Sequence, residues 1–157
     1  MTETSALTDL RLVSVDHRVV RHGRVDSLEE AAELRGVEPS AVIKTMVVRR
    51  SEDDYVFVLV PGDRVIDWPK LRDLLGERRL SMPGQDEALE VTGYARGTIT
   101  PFGSTESWPV IADTRTSVGQ VSVGGGAPGV SITIDGNELA EALDATVADV
   151  TKGRSKV

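Results

Sequence analysis

Lys44 lies in an apolar neighbourhood, after Val42 and Ile43 and before Met46, Val47 and Val48. A lysine in such a run either snorkels its ammonium out to water along an apolar stem or meets an anion. Taken alone, snorkelling is the ordinary outcome. A second feature changes its meaning. The stretch Tyr94-Ala95-Arg96-Gly97-Thr98-Ile99-Thr100-Pro101-Phe102-Gly103 is nearly uncharged, whereas a loop that only connects is ordinarily polar. Pro101 fixes φ, and Gly97 and Gly103 permit backbone conformations closed to other residues. That combination suits a segment whose amides approach a ligand closely. The two features together describe a backbone cradle plus one cation, with no evident side-chain nucleophile.

Other chemistries find little support. The chain has no cysteine, which excludes disulfides, thiolate metal sites and a Cys nucleophile. Its two histidines, His17 and His22, both fall near the start and form no His-x-His or His-x-x-x-His pair, so neither a zinc site nor a Ser-His-Asp triad is indicated. The neighbours Glu29/Glu30 and Asp53/Asp54 have ready structural roles at a helix start and a turn. The run Gly124-Gly125-Gly126 lacks the Gly-Lys-Ser/Thr ending of a nucleotide P-loop and the dinucleotide spacing. It reads as a connection between strands, with a ligand-facing turn as the competing reading.

At 157 residues the chain is expected to form one domain over 1–157, with residues 1–9 frayed. A domain of this size buries about 70% of its unfolded surface. With 39% hydrophobic and 27% charged residues the composition is that of an ordinary soluble protein, and no apolar run is long enough to span a bilayer. The first residues lack the pattern of a signal peptide, so a cytoplasmic location is expected. The net charge of −7 argues against generic nucleic-acid binding but leaves room for local basic faces. Candidates are Arg18, Arg21, His22 and Arg24; Arg49 and Arg50; and Arg78 and Arg79, each of which also reads as solvated surface charge.

The elements that must position these residues are short. Residues 10–20 alternate imperfectly and fit either helix or strand. Ser27 with Glu30 is a capping-box pattern opening a helix over 28–35, closed by Gly36. Residues 39–40 begin a further turn of helix. Runs at 45–49 and 55–60 predict an antiparallel hairpin. Asp67 caps a helix over 68–75, with Pro69 in its first turn and Gly76 after it. A short strand at 80–82, a brief helix at 86–92, strands at 108–112, 118–123 and 130–134, and a last helix capped by Asn137 or Asp135 complete the pattern. The class is mixed α/β with a mostly antiparallel or mixed sheet.

In order and spacing, these residues resemble the YbaK/EbsC family, which is similar to the editing (insertion) domain of bacterial prolyl-tRNA synthetases. The resemblance runs from about residue 27 to 151. It rests on Leu34-Arg35-Gly36-Val37, Ile43-Lys44-Thr45-Met46, Gly93-Tyr94, the Gly-x-x-x-Pro loop from Gly97 to Pro101, Pro109-Val110-Ile111-Ala112-Asp113, and the glycine run. It implies a twisted, largely antiparallel, barrel-like sheet with surrounding helices. It implies a free-standing protein that deacylates mischarged aminoacyl-tRNA, tRNA-Pro carrying Cys, Ala, Ser or Thr, without cofactor or metal and with prolyl-tRNA synthetase as a candidate partner. The family's key lysine falls on Lys44, and catalysis is carried over to Lys44 and Gly97. Substrate contacts are carried over to Thr45, Thr98, Ile99, Thr100, Pro101, Phe102, Asp113, Gly125 and Gly126. Members with Asn after the lysine prefer alanyl substrates; Thr45 is closer to the pattern associated with Cys-tRNA-Pro.

The implied chemistry agrees with the residues. An aminoacyl ester is already activated, so its hydrolysis needs positioning and oxyanion stabilisation more than a strong nucleophile. Two other readings stay open: a module that binds a nucleotide or aminoacyl-tRNA without hydrolysis, and a hydrolase of another activated acyl ester.

Overall fold

The computed structural model describes residues 4–23 and 25–154. Arg24, part of the first basic cluster, lies outside the described residues. In chain order the elements are α1 (Leu10–Val13), β1 (His17–Arg21), α2 (Leu28–Arg35), β2 (Ile43–Ser51), β3 (Asp54–Pro61), β4 (Arg64–Ile66), α3 (Trp68–Leu75), α4 (Gln85–Thr92), β5 (Val110–Asp113), β6 (Gln120–Gly124), β7 (Val130–Asp135), α5 (Gly136–Ala142), β8 (Thr146–Ala148) and β9 (Thr151–Gly153). Short 3₁₀ turns at Ala6–Thr8, Pro39–Ala41 and Thr114–Ser117 join them.

The caps fall where their side-chain chemistry places them. Ser27 accepts from Glu30 N, Asp67 from Lys70 N and Asp135 from Glu138 N, each satisfying an amide that the first helical turn leaves free. Gly36, Gly76 and Gly93 end their helices in the left-handed region.

The strands form three sheets, ordered β1-β7-β6, β2-β3-β5-β8 and β4-β9. The class is mixed α/β, as expected, but the sheets do not close into a barrel. Four pairings are antiparallel, while β5 runs parallel to both β3 and β8. A parallel neighbour needs a crossover connection, and β4, α3 and α4 supply it between β3 and β5. The first two sheets touch through one parallel bridge, Val42 with Ser122, rather than through a continuous ladder.

Two further expectations are corrected. Residues 4–9 are not frayed: Ala6 and Leu7 are buried, and Asp9 caps α1 by accepting from Arg11 N. The stretch at 80–82 is no strand but a single bridge between Ser81 and Arg49.

The hairpin β2–β3 divides the core. Strand side chains alternate between faces. Ile43, Val47, Phe57, Leu59, Val110 and Ala112 pack on one face with Tyr94, Phe102, Val121 and Val123. Val48, Val56, Val58, Val60 and Ile111 pack on the other with Ile66, Leu71 and Val150. Burying each large side chain contributes about 1.5–3 kcal/mol, so both faces are strongly held. No helix of the described residues is long and apolar enough to cross a membrane.

Candidate functional site

The loop after α4 is anchored at Thr98, Phe102 and Gly103 and exposed at residues 95–97. Thr98 N donates to Ala95 O at 3.0 Å, and Thr98 Oγ1 to the same oxygen at 2.7 Å. Gly97, at the third position of this turn, has φ +89°, the conformation a type II turn requires there. Gly97 is exposed, and a Cβ built on it would meet nothing within 4 Å. Thr98, Thr100, Pro101 and Phe102 are buried and Ile99 is half-buried. Phe102 N donates to Thr100 Oγ1 at 3.3 Å, and Tyr94 OH donates to Phe102 O at 2.6 Å. Burial, and then the charge of Asp9, push the Tyr94 phenol up to about 12, so it stays protonated as that donor. Among the described residues, the N–H groups of Ala95, Arg96, Gly97, Ile99 and Thr100 donate to no protein acceptor.

The N-terminal segment clamps this loop. Arg11 Nη2 donates to Pro101 O at 3.0 Å, and Arg11 stands over the Phe102 ring. A Cβ on Gly103, whose φ is +70°, would overlap the Ser5 backbone. The glycine run closes a third side. Gly125 N donates to Val130 O, and Thr4 Oγ1 donates to Gly125 O at 2.5 Å. Gly126 lies so close to Tyr94 that a Cβ would stand 2.9 Å from the ring, while one on Gly124 would meet Ile99 O at 3.5 Å.

Lys44 and Thr45 enter beside this assembly. From the Val42–Ser122 bridge, β2 and β6 run in the same direction, so Lys44 and Thr45 leave it alongside Gly124. Their side chains then diverge. Thr45 pairs with Leu59 and shares the loop's face of the sheet; its hydroxyl oxygen is buried and makes no hydrogen bond among the described residues. Lys44 pairs with Val60 and points to the opposite face, where Nζ donates to Arg64 O at 2.8 Å. Partial burial and then the nearby Arg154 lower its pKa, against the opposing pull of Asp63. Two of its three donors have no acceptor among the described residues. The cation and the cradle therefore flank the start of β2 from opposite faces.

Asp113 lies away from the loop. It is fully buried, and its Oδ1 accepts from Val150 N at 3.1 Å and Thr151 Oγ1 at 3.0 Å. It also caps the next turn by accepting from Arg115 N. In this structure it ties β5 to β9. His17 and His22 each turn Nδ1 to a nearby carbonyl, Val15 O and Gly23 O.

Sequence reasoning missed Thr4, Asp9 and Arg11 as the loop's support and Arg64 as the acceptor for Lys44. An Asp directly before an apolar helix start was the available signal for Asp9. Nothing local marks Arg64, whose strand is three residues long.

A family profile described as the aminoacyl-tRNA editing domain matches residues 22–142. A proline–tRNA ligase of Heliobacterium modesticaldum is 36% identical over 107 residues, covering 68% of this chain and 18% of the ligase. The chain thus spans under a fifth of that relative. EbsC of Enterococcus faecalis, described as a candidate Cys-tRNA(Pro)/Cys-tRNA(Cys) deacylase, is 25% identical over 126 residues, covering 80% of this chain and 77% of EbsC. A crystal structure described as a candidate trans-editing enzyme for prolyl tRNA synthetase superposes with a TM-score of 0.82 at 26% identity, covering 98% of this chain and 100% of that one. With a family profile over residues 22–142 and a shared fold over 98% of the chain, the chain belongs to the aminoacyl-tRNA editing domain family, in the YbaK/EbsC group related to the prolyl-tRNA synthetase editing domain.

Proposed function

We propose that this chain is a trans-acting hydrolase that removes a small amino acid, Cys, Ala, Ser or Thr, from mischarged tRNA-Pro. The observation that carries the reading is the exposed backbone at Gly97, whose amide is unengaged and whose φ is positive, on a loop anchored on either side by Thr98, Phe102 and Gly103. Fixed backbone donors of this kind stabilise the oxyanion that forms when an ester carbonyl is attacked. Water, held by the neighbouring ribose hydroxyl, adds to the carbonyl carbon, or a substrate thiol does so and leaves as a cyclic thioester; in either case the bond to the ribose oxygen breaks. With water as the attacking group, that oxygen takes up a proton and the free amino acid leaves. Gly97 brings the backbone close. Thr45 offers its buried hydroxyl to the aminoacyl side chain. Lys44 holds the phosphate or ribose of the terminal nucleotide. Thr98, Thr100, Pro101 and Phe102 shape the loop, Ile99 forms a wall, and Gly125 and Gly126 close the site behind Tyr94. Prolyl-tRNA synthetase is the candidate that delivers the substrate.

One observation favours a second reading, a module that holds aminoacyl-tRNA without cleaving it: Lys44 is engaged by Arg64 on the face away from the loop. A panel of tRNA-Pro charged with Cys, Ala, Ser, Thr or Pro separates the two. Release of the small amino acids well above the uncatalysed rate supports the hydrolase, and binding without release supports the module.

A further inference from the structure

At the far end of β2 from Lys44, five arginines line one open cleft. Arg49 and Arg50 come from β2, Arg72 from α3, and Arg78 and Arg79 from the segment after it, around a space of about 470 Å³. Glu52 is the one carboxylate in the lining. Glu77 pairs with Arg50 at 3.1 Å, and Glu87 stands 3.8 Å from Arg49. The Nε atoms of both arginines are buried without a hydrogen-bond partner. Among the described residues, no carboxylate stands within ion-pair distance of Arg72, Arg78 or Arg79. In a chain of net charge −7, this is a local concentration of cation that solubility does not require.

We propose that this cleft binds the phosphodiester backbone of the RNA whose 3′ end occupies the Gly97 loop, an inference that rests on the proposed function. Guanidinium groups match phosphate oxygens in bidentate geometry, and the cleft's cations are all arginine. A concave site fits a polyanionic chain better than a flat membrane. Arg49 lies five residues beyond Lys44 on the loop's face of β2, and Arg50 follows it on the α3 face, so the cleft lies at the strand's end; at about 3.3 Å per residue it is roughly 17 Å along β2 from Lys44. A duplex carries about one phosphate per 1.7 Å of axis, so several phosphates span that distance.

The test is equilibrium binding of deacylated tRNA to the full chain across a salt series, which requires no hydrolysis. Arg72→Ala/Arg78→Ala/Arg79→Ala is expected to weaken binding at least tenfold and to lower the slope of log K against log salt by roughly two to three. Arg78→Ala/Arg79→Ala, which changes only exposed side chains, is expected to lower the slope by about two and guards against misfolding of the triple variant. Replacement of the same residues by lysine should restore most of the slope. Arg18→Ala/Arg21→Ala on β1 is the control and should change neither quantity. Unchanged slopes in the cleft variants, an equal loss in the control, or a loss of binding to polyglutamate or phosphatidylserine vesicles with tRNA binding intact would each overturn the proposal. Cleavage of an aminoacyl-adenosine ester, too short to reach the cleft, should be unaffected by the variants. If the wild-type chain cleaves neither this ester nor charged tRNA, the hydrolase reading fails while the salt slopes still decide the cleft.

Discussion

The backbone N–H of Gly103 donates to Asp9 Oδ2 at 2.8 Å, joining residues 94 positions apart. Asp9 also caps α1 and holds Arg11, which in turn reaches Pro101 O. Burial of Asp9 works to raise its pKa. The hydrogen bonds from the Arg11 side chain and from the Gly103 and Arg11 amides outweigh burial and bring it down to about 2 from 3.8.

A depressed carboxylate pKa stabilises the folded state once pH is above the unfolded value, and the contribution disappears as pH falls through the folded one. For Asp9 the window is about 4 to 2, and the shift corresponds to on the order of 2 kcal/mol at neutral pH. Asp9→Asn should therefore unfold more easily than wild type by a constant margin from pH 7 to 5, and that margin should shrink below pH 4. Urea unfolding at a series of pH values measures it. A margin independent of pH would mean that the carboxylate charge is not what holds the loop.

Parts of this arrangement were legible in the sequence for physical reasons. The hairpin β2–β3 announces itself by β-branched runs, and α2 and α3 by Ser27 and Asp67 at one end and Gly36 and Gly76 at the other. These signals are local. What escaped depends on distant partners. The strands β4, β8 and β9 are three residues long and exist because of their pairings. The N-terminal clamp is unreadable until residue 9 meets residue 103. The sequence set Lys44 and the glycine loop side by side as one constellation, but strand parity decides which face each side chain takes. One position's difference put Thr45 toward the loop and Lys44 toward Arg64.

Gly97→Val should damage turnover more than Thr98→Ala. The space at Gly97 is open, so no clash opposes the new side chain. The cost is its φ of +89°, about 1–2 kcal/mol for a residue with a Cβ, plus obstruction of the substrate's approach to the exposed backbone. Thr98→Ala removes one hydrogen bond to Ala95 O and leaves the amide bond to the same acceptor. Deacylation kcat/KM for both variants decides; the reverse order would show that the cradle is not built at Gly97.

Lys44→Met separates the two functional readings. Methionine keeps the apolar stem and removes the ammonium. The single bond to Arg64 O is worth about 1.5–3 kcal/mol at most, and relief of a half-buried charge offsets part of it, so Tm should shift little. If the cation holds the substrate's terminal nucleotide, deacylation should fall at least a hundredfold with the fold intact. Wild-type rates in the folded variant would leave Lys44 a structural partner of Arg64.

The proposed function puts the limit on substrate size at the loop. Phe102 and Thr100 are fully buried, which leaves half-buried Ile99 as the bulky side chain available to face a ligand, with the Thr45 hydroxyl on the same face of the sheet. A pocket discriminates by about 1–3 kcal/mol per methylene, so Cys-, Ala-, Ser- and Thr-tRNA should be cleaved well and Phe-tRNA poorly. Ile99→Ala should raise the Leu and Phe rates relative to Ala. Thr45→Val exchanges the unpartnered hydroxyl for a methyl of similar volume. It should leave stability unchanged or slightly higher, because a buried unpaired hydroxyl costs about 1–3 kcal/mol. The same exchange should erase any preference for Ser, Thr and Cys over Ala. Relative kcat/KM across Ala-, Cys-, Ser-, Thr-, Leu- and Phe-charged versions of one tRNA, in wild type and both variants, measures each step. Phe-tRNA cleaved as fast as Ala-tRNA by wild type would show that Ile99 does not limit the site, and an unchanged Ser-to-Ala ratio in Thr45→Val would remove the hydroxyl from substrate recognition.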